Sequence, residues 1–207
     1  ADTRVRVRGR NSSLLLSIPN TSAGTDHYYS LKDSGIAVAN CHKMPGAIFC
    51  ENISSIDEIT ELFDHTNQRL QTIRPDIKII ATVSPYRYIK YGLHQSQLSK
   101  ARLLLSIEAC QHNSNVHYFP AYEILNDELR DYRFYAPDMV HPSEICEEYI
   151  WQKFRDNYIC QRLQDFFKEW TPILKAQAHK PQTNNTDFYQ AIDSRINNIR
   201  SKFPEMF

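Results

Sequence analysis

Asp138 and His141 stand three residues apart in the run Asp131-Tyr-Arg-Phe-Tyr-Ala-Pro-Asp138-Met-Val-His141-Pro-Ser-Glu144. A carboxylate that holds one ring nitrogen of an imidazole leaves the other free to take a proton, which is what acyl transfer to or from a hydroxyl requires. Pro142 is favoured at the first position of a helix, and Ser143 and Glu144 suit its opening turn. The spacing therefore predicts a helix that begins directly after His141 and fixes the base. The competing reading is structural: an acid and a histidine in a polar turn cap a helix and satisfy its free backbone groups. A base also needs a nucleophile. The serines near the start, Ser12, Ser13, Ser17 and Ser22, lack the preceding glycine and small-residue turn that would expose one.

The apolar run Ile77 to Val83 reads as a strand buried on both faces, and it leads into Ser84-Pro85-Tyr86-Arg87. Sites in open α/β sheets lie beyond the carboxyl ends of strands, which gives Arg87 a functional prior. It holds a substrate carboxylate or phosphate, or it pairs with an internal acid such as Asp138; the internal pair is the favoured reading. Cys41 and His42 are adjacent, and on a strand adjacent side chains face opposite sides, so they read as a small buried residue and a polar neighbour rather than as a metal or nucleophile pair.

Other elements must position these groups. Ser55 to Arg74 predicts a helix with a Ser55/Glu58 capping box, an apolar face of Ile56, Ile59, Leu62, Phe63, Leu70 and Ile73, and Pro75 as its stop. Gln95 to Gln111 predicts a second, with Leu98, Ala101, Leu105 and Ala109 on one face and Leu103, Leu104 and Ile107 widening it. Leu14 to Ile18 and Val116 to Phe119 read as strands, and His27 to Leu31 with Ile36 to Asn40 as a hairpin around Lys32-Asp-Ser-Gly35. The alternation of strand and helix predicts an α/β fold, a three-layer sandwich with a mostly parallel central sheet. Asp138 and His141 would then fall on the same edge as Gly24 and Arg87. Two amphipathic helical stretches follow, the first carrying Leu163, Phe166, Phe167, Trp170, Ile173 and Leu174, the second Phe188, Ile192, Ile196, Ile199 and Phe203, with a polar linker at 178–186 between them. The domain reading is 1–12 as an atypical basic segment, 13–178 as the α/β domain, and 179–207 as linker and terminal helix.

Composition narrows the function classes. Lys plus Arg and Asp plus Glu both number 24 in 207 residues, so no net charge draws the chain to nucleic acid or anionic membrane. Arg4, Arg6, Arg8 and Arg10 alternate along the first segment, but without interleaved aromatics they read as a charged edge strand or a loose end rather than an RNA contact. No run has the apolar length of a membrane span, and the start lacks the apolar core of a secretory signal. Five cysteines with no Cys-x-x-Cys pair argue against a disulfide framework and a closed zinc site, which points to a reducing, cytoplasmic compartment. No metal is expected.

From Ser30 to Phe154 the chain resembles the GSCFA-domain family, a branch of the SGNH (GDSL-like) hydrolases. The resemblance rests on Leu31-Lys-Asp-Ser-Gly-Ile-Ala-Val-Ala-Asn-Cys-His42-Lys, Thr82-Val-Ser-Pro-Tyr-Arg87, Gly92-Leu-His-Gln-Ser-Gln-Leu-Ser-Lys100-Ala-Arg, and Tyr118 through Trp151, the last including both Asp138 and His141 without a gap. It implies a serine ester hydrolase with His141 as base, Asp138 as its orienter and no cofactor, acting on a small-molecule or carbohydrate acyl ester. It also implies that Gly24 and Thr25 lie on a loop that lends donors to an oxyanion, against the alternative of a simple turn glycine, and that His42 lines the pocket. The family's nucleophile belongs to an N-terminal Gly-Ser-Cys-Phe-Ala stretch. This sequence does not contain that stretch, so the expectation is either a fragment or a degenerate copy, the latter an inactive remnant or binding module of the same fold.

Overall fold

A computed structural model describes residues 24–39, 41, 43–178 and 186–206. These fall into two compact units, one ending at Ile150 and one beginning at Trp151.

In the first unit, β1 (His27–Leu31) turns through Lys32 to Gly35 into β2 (Ala37–Val38), and β3 (Phe49–Ile53) returns on the other side of β1. Both pairings are antiparallel, with Tyr29 opposite Val38 and Glu51. Gly35, at φ +67°, takes the left-handed conformation that closes the hairpin, and its N–H donates to Leu31 O at 2.8 Å. α1 (Ile56–Ile73) begins with the expected capping box: Ser55 Oγ accepts from Glu58 N–H at 3.2 Å and Glu58 Oε2 accepts from Ser55 N–H at 2.7 Å. β4 (Ile79–Ala81) then leads to α2 (Leu93–Cys110) and to β5 (Val116–Tyr118), which pairs parallel with β4. A core of Ile79, Ala81, Val83, Leu103, Ile107 and Val116 sits between this pair and the two helices, with Ile59, Phe63 and Leu70 of α1 against it. Asn67 and Asn115 exchange two amide hydrogen bonds inside, at 2.8 and 3.3 Å, which ties α1 to the start of β5 without leaving a polar group orphaned.

The chain continues through α3 (Ala121–Glu123), which runs into a π-helical stretch Ile124–Leu129 and ends at Arg130 in a left-handed conformation, then to α4 (Glu144–Tyr158). The second unit holds α5 (Gln161–Ala178) and α6 (Thr186–Lys202) around Phe166, Ile173, Ile192, Ile199 and Phe203. The two amphipathic stretches thus pack on each other, although Leu174 is half exposed.

The architecture corrects the sequence reading of a three-layer sandwich with a mostly parallel central sheet. The described residues are mostly helical, at 61%, with a three-stranded antiparallel sheet and a two-stranded parallel pair among them. The antiparallel β1–β2 hairpin was itself expected, but the alternation of strand and helix overlooked β3, which returns antiparallel beside β1 in a sheet separate from the β4–β5 pair. Lys32 to Gly35 is too short for a parallel crossover, so β1 and β2 can only pair antiparallel. Leu14 to Ile18, the other strand of that expectation, lies outside the described residues. α2 also departs from expectation: its buried face is Ser96, Ser99, Lys100, Leu103, Ser106, Ile107 and Cys110, while Leu98 and Leu105 face outward.

Candidate active site

The loop after the π-helical stretch is built from short-range bonds. Asp138 Oδ1 accepts from the backbone N–H of Val140 at 2.9 Å and of His141 at 3.0 Å, an Asx turn, with Met139 at φ +59° between them. Ala136 N–H donates to His141 O at 2.8 Å, and Tyr135 bridges Pro142 in antiparallel fashion. The second carboxylate oxygen, Oδ2, lies 2.6 Å from His141 Nδ1. The helix starts at Glu144 rather than at Pro142, with Ser143 Oγ accepting from Cys146 N–H. His141 is therefore held by the Asx turn, not by a helix end.

The tautomer follows from the charges. The hydrogen bond from His141, with the two backbone N–H groups, holds the Asp138 carboxyl down to about 2, so it is ionised at neutral pH and can only accept. Nδ1 must then carry the hydrogen. In the neutral ring Nε2 is left with its lone pair. The ring is 61% exposed and Asp138 48%, so the pair lies open on the surface.

β4 delivers the other wall. Arg87 N–H donates to Val140 O at 3.0 Å, and Arg87 Nη1 donates to Met139 O at 3.2 Å. Its guanidinium lies 5.3 Å from the Tyr135 ring centre. Arg87 thus braces the Asp138–His141 loop through its carbonyls and not through the Asp138 carboxylate. Tyr86 places its ring 4.8 Å from that of His141.

Gly24 and Thr25 are buried on a neighbouring segment. Lys100, 2% exposed, reaches from α2 to donate to Gly24 O at 2.6 Å and Ser84 O at 2.7 Å, so one ammonium joins the Gly24 segment to the end of β4. Burial lowers its pKa to about 8. The Thr25 hydroxyl is engaged by Ser99 Oγ at 3.2 Å and His27 N–H at 3.2 Å. Asp26 beside it has a fully buried side chain paired with Arg102 at 2.6 Å. No hydrogen bond joins Gly24 or Thr25 to the dyad among the described residues, and His42 lies outside them. Lys100 and Tyr86 were missed as site residues by sequence reasoning. A lysine on the serine-rich side of an otherwise apolar helix was the available signal for the first.

No serine or threonine hydroxyl among the described residues bonds the His141 ring. The buried thiols are not substitutes: burial pushes Cys110 and Cys146 up to about 11, so both stay protonated. Among the described residues no group of histidines, cysteines and carboxylates is arranged to hold a metal ion, and no helix is long and apolar enough to cross a membrane.

Compared with known proteins, the chain matches no curated protein and no solved structure. The family comparison does give a match, to the GSCFA family over residues 20–154, a stretch that contains the whole site from Gly24 to His141. That match covers more than half of the chain, and the protein belongs to the GSCFA family.

Proposed function

We propose that this chain supplies the base and orienting acid of an SGNH-like serine ester hydrolase. One observation carries the reading: an accessible imidazole with Nδ1 fixed on an ionised carboxylate at 2.6 Å and its other nitrogen unbonded among the described residues. In the proposed reaction a hydroxyl from outside the described residues attacks the ester carbonyl and gives its proton to His141 Nε2. The imidazolium, stabilised by Asp138, returns that proton to the departing alcohol. Water then attacks the acyl group by the same route, releasing the acid and restoring the hydroxyl. Arg87 holds the loop in register throughout. The substrate in this reading is an O-acyl ester, on a small molecule or a carbohydrate.

The test is hydrolysis of an unactivated short-chain ester such as ethyl acetate, because p-nitrophenyl acetate reacts with any free imidazole. Protein carrying the family's Gly-Ser-Cys-Phe-Ala segment is expected to turn the ester over and to lose that activity in His141→Ala. Equal turnover by variant and parent sinks the assignment of the base. The second reading, an inactive binding module, is favoured by the lack of any hydroxyl bonded to His141 among the described residues, and it predicts no turnover in either protein.

A further inference from the structure

From the His141 ring a row of aromatic rings leads away from the dyad. Tyr86 lies 4.8 Å from His141, Tyr88 6.2 Å from Tyr86, Tyr91 5.5 Å from Tyr88, and His27 4.2 Å from Tyr91 and nearly parallel to it. The row comes from two sources, the segment after β4 and the first residue of β1, and its tyrosines are half-buried. Its rim is polar and internally balanced. Lys90 Nζ donates to Tyr29 Oη at 2.5 Å, Tyr91 Oη at 2.6 Å and Glu51 Oε1 at 3.1 Å, and Tyr29 Oη donates to Glu51 at 3.0 Å. The hydroxyls of Tyr86 and Tyr88 have no hydrogen-bond partner among the described residues.

We propose that this row is a carbohydrate platform, on which an O-acylated neutral glycan lies with its acyl group at His141. The inference rests on the ester-hydrolase reading for the acyl end and deepens it by naming the substrate class. Three features select the occupant. Aromatic faces take the C–H faces of sugar rings, while the free phenols and the Lys90–Glu51 rim meet their hydroxyls. A fatty acyl chain would instead require a dry channel, and the dyad lies open. A polyanion would require several unpaired cations along the row, whereas Lys90 is neutralised by Glu51 and Arg87 is turned to the Met139 carbonyl.

The experiment measures binding separately from hydrolysis, with a panel of immobilised neutral oligosaccharides, free and O-acetylated, and the full chain as the soluble partner. Retention on at least one O-acetylated member is expected, unchanged between low and moderate salt, with a loss of about tenfold in affinity for Tyr88→Ala and again for Tyr91→Ala. Tyr88→Phe keeps the ring and should restore most of the binding, which separates a lost platform from a misfolded variant. Circular dichroism of each variant checks the fold directly. Failure to bind any member, binding that survives both ring deletions, or preference for a micellar acyl ester or an acidic polysaccharide overturns the proposal. The two readings part cleanly. Glycan binding by the parent, with no ester turnover even by protein carrying the Gly-Ser-Cys-Phe-Ala segment, leaves the platform and removes the hydrolase; His141-dependent turnover of ethyl acetate without glycan binding does the reverse.

Discussion

Lys100→Met tests the cost of a buried charge in the first unit. Lys100 is buried between α2, the Gly24 segment and the end of β4, and its pKa falls from 10.5 to about 8 because burial disfavours the charged form. The unfolded chain therefore holds this proton up to about pH 10.5 while the folded chain releases it near 8, so between those values the unfolded state binds more protons and folding gains stability as pH rises. Below pH 8 the full penalty is present, about 3 kcal/mol at 1.36 kcal/mol per unit of pKa. The contacts survive deprotonation, since a neutral amine keeps two N–H donors for the two carbonyls of Gly24 and Ser84. Methionine removes the penalty but orphans both carbonyls, at about 1–3 kcal/mol each, so at pH 7 the opposing effects roughly cancel. Raising the pH to 10.5 should then widen the stability advantage of the parent over Lys100→Met by about 3 kcal/mol. Urea unfolding at a series of pH values, followed by circular dichroism, measures it. Tryptophan fluorescence would not, since Trp151 and Trp170 both belong to the second unit. The difference between the two proteins cancels other titrations, except that of Tyr122, whose ring lies 5.9 Å from the ammonium and whose hydroxyl burial pushes up. A difference that stays flat from pH 7 to 10.5 refutes the burial argument.

Other substitutions probe separate claims. Asp138→Asn keeps an acceptor for the Asx turn but loses the charge that fixes His141, so ester turnover by a competent protein should fall by about a hundredfold or more while circular dichroism is unchanged. Asp138→Ala should lose the turn as well, seen as shifted amide resonances at Val140 and His141. Thr82→Val should raise the unfolding free energy in urea by about 1 kcal/mol, because Thr82 Oγ1 is buried without a partner among the described residues, beside a cavity of about 30 Å³ lined by Ile59, Phe63, Leu103 and Ile107. Ser55→Ala removes the acceptor for Glu58 N–H at the start of α1 and should cost about 1 kcal/mol in the same assay. Phe203→Ala empties a fully buried position between α5 and α6, and the tryptophan-reported transition should lose about 3–5 kcal/mol.

What the sequence revealed was set by how far apart the interacting groups lie along the chain. The capping box spans three residues, the hairpin turn four, and the Asp138–His141 contact three; each is closed by bonds within its own turn, so residue type and spacing were sufficient. Even there, Asp138 was legible as the orienter of a ring but not as the acceptor of two backbone N–H groups. That second role moved the anchor of His141 from a helix end to an Asx turn. Arg87 was placed on the correct edge by the run that precedes it, yet the favoured Asp138 pair did not form, because the carboxylate was already engaged by its own loop and only the carbonyls of Met139 and Val140 remained for Arg87 to hold.

The long-range polar features were invisible for the same reason. Lys100 finds its carbonyls 76 and 16 residues away, and locally its place on the serine-rich side of α2 is a weak mark of burial. On α2 the larger side chains at Leu98 and Leu105 suggested an inward face, but the helix instead turns inward its serines, which are short enough to let neighbouring backbone approach and can bond it. Ser99 meets Asp26 N–H, and Ser106 meets both its own helix at Arg102 O and α1 at Ile56 O. Close packing of this kind favours small polar residues whose hydroxyls find backbone partners, and a reading based on apolar periodicity assigns such a face to solvent. The mistaken sheet has a related origin. Strand signals in β1, β2, β4 and β5 were each correct locally while β3 went unread, and only the pairing between distant segments decides whether they build one parallel sheet or two small ones.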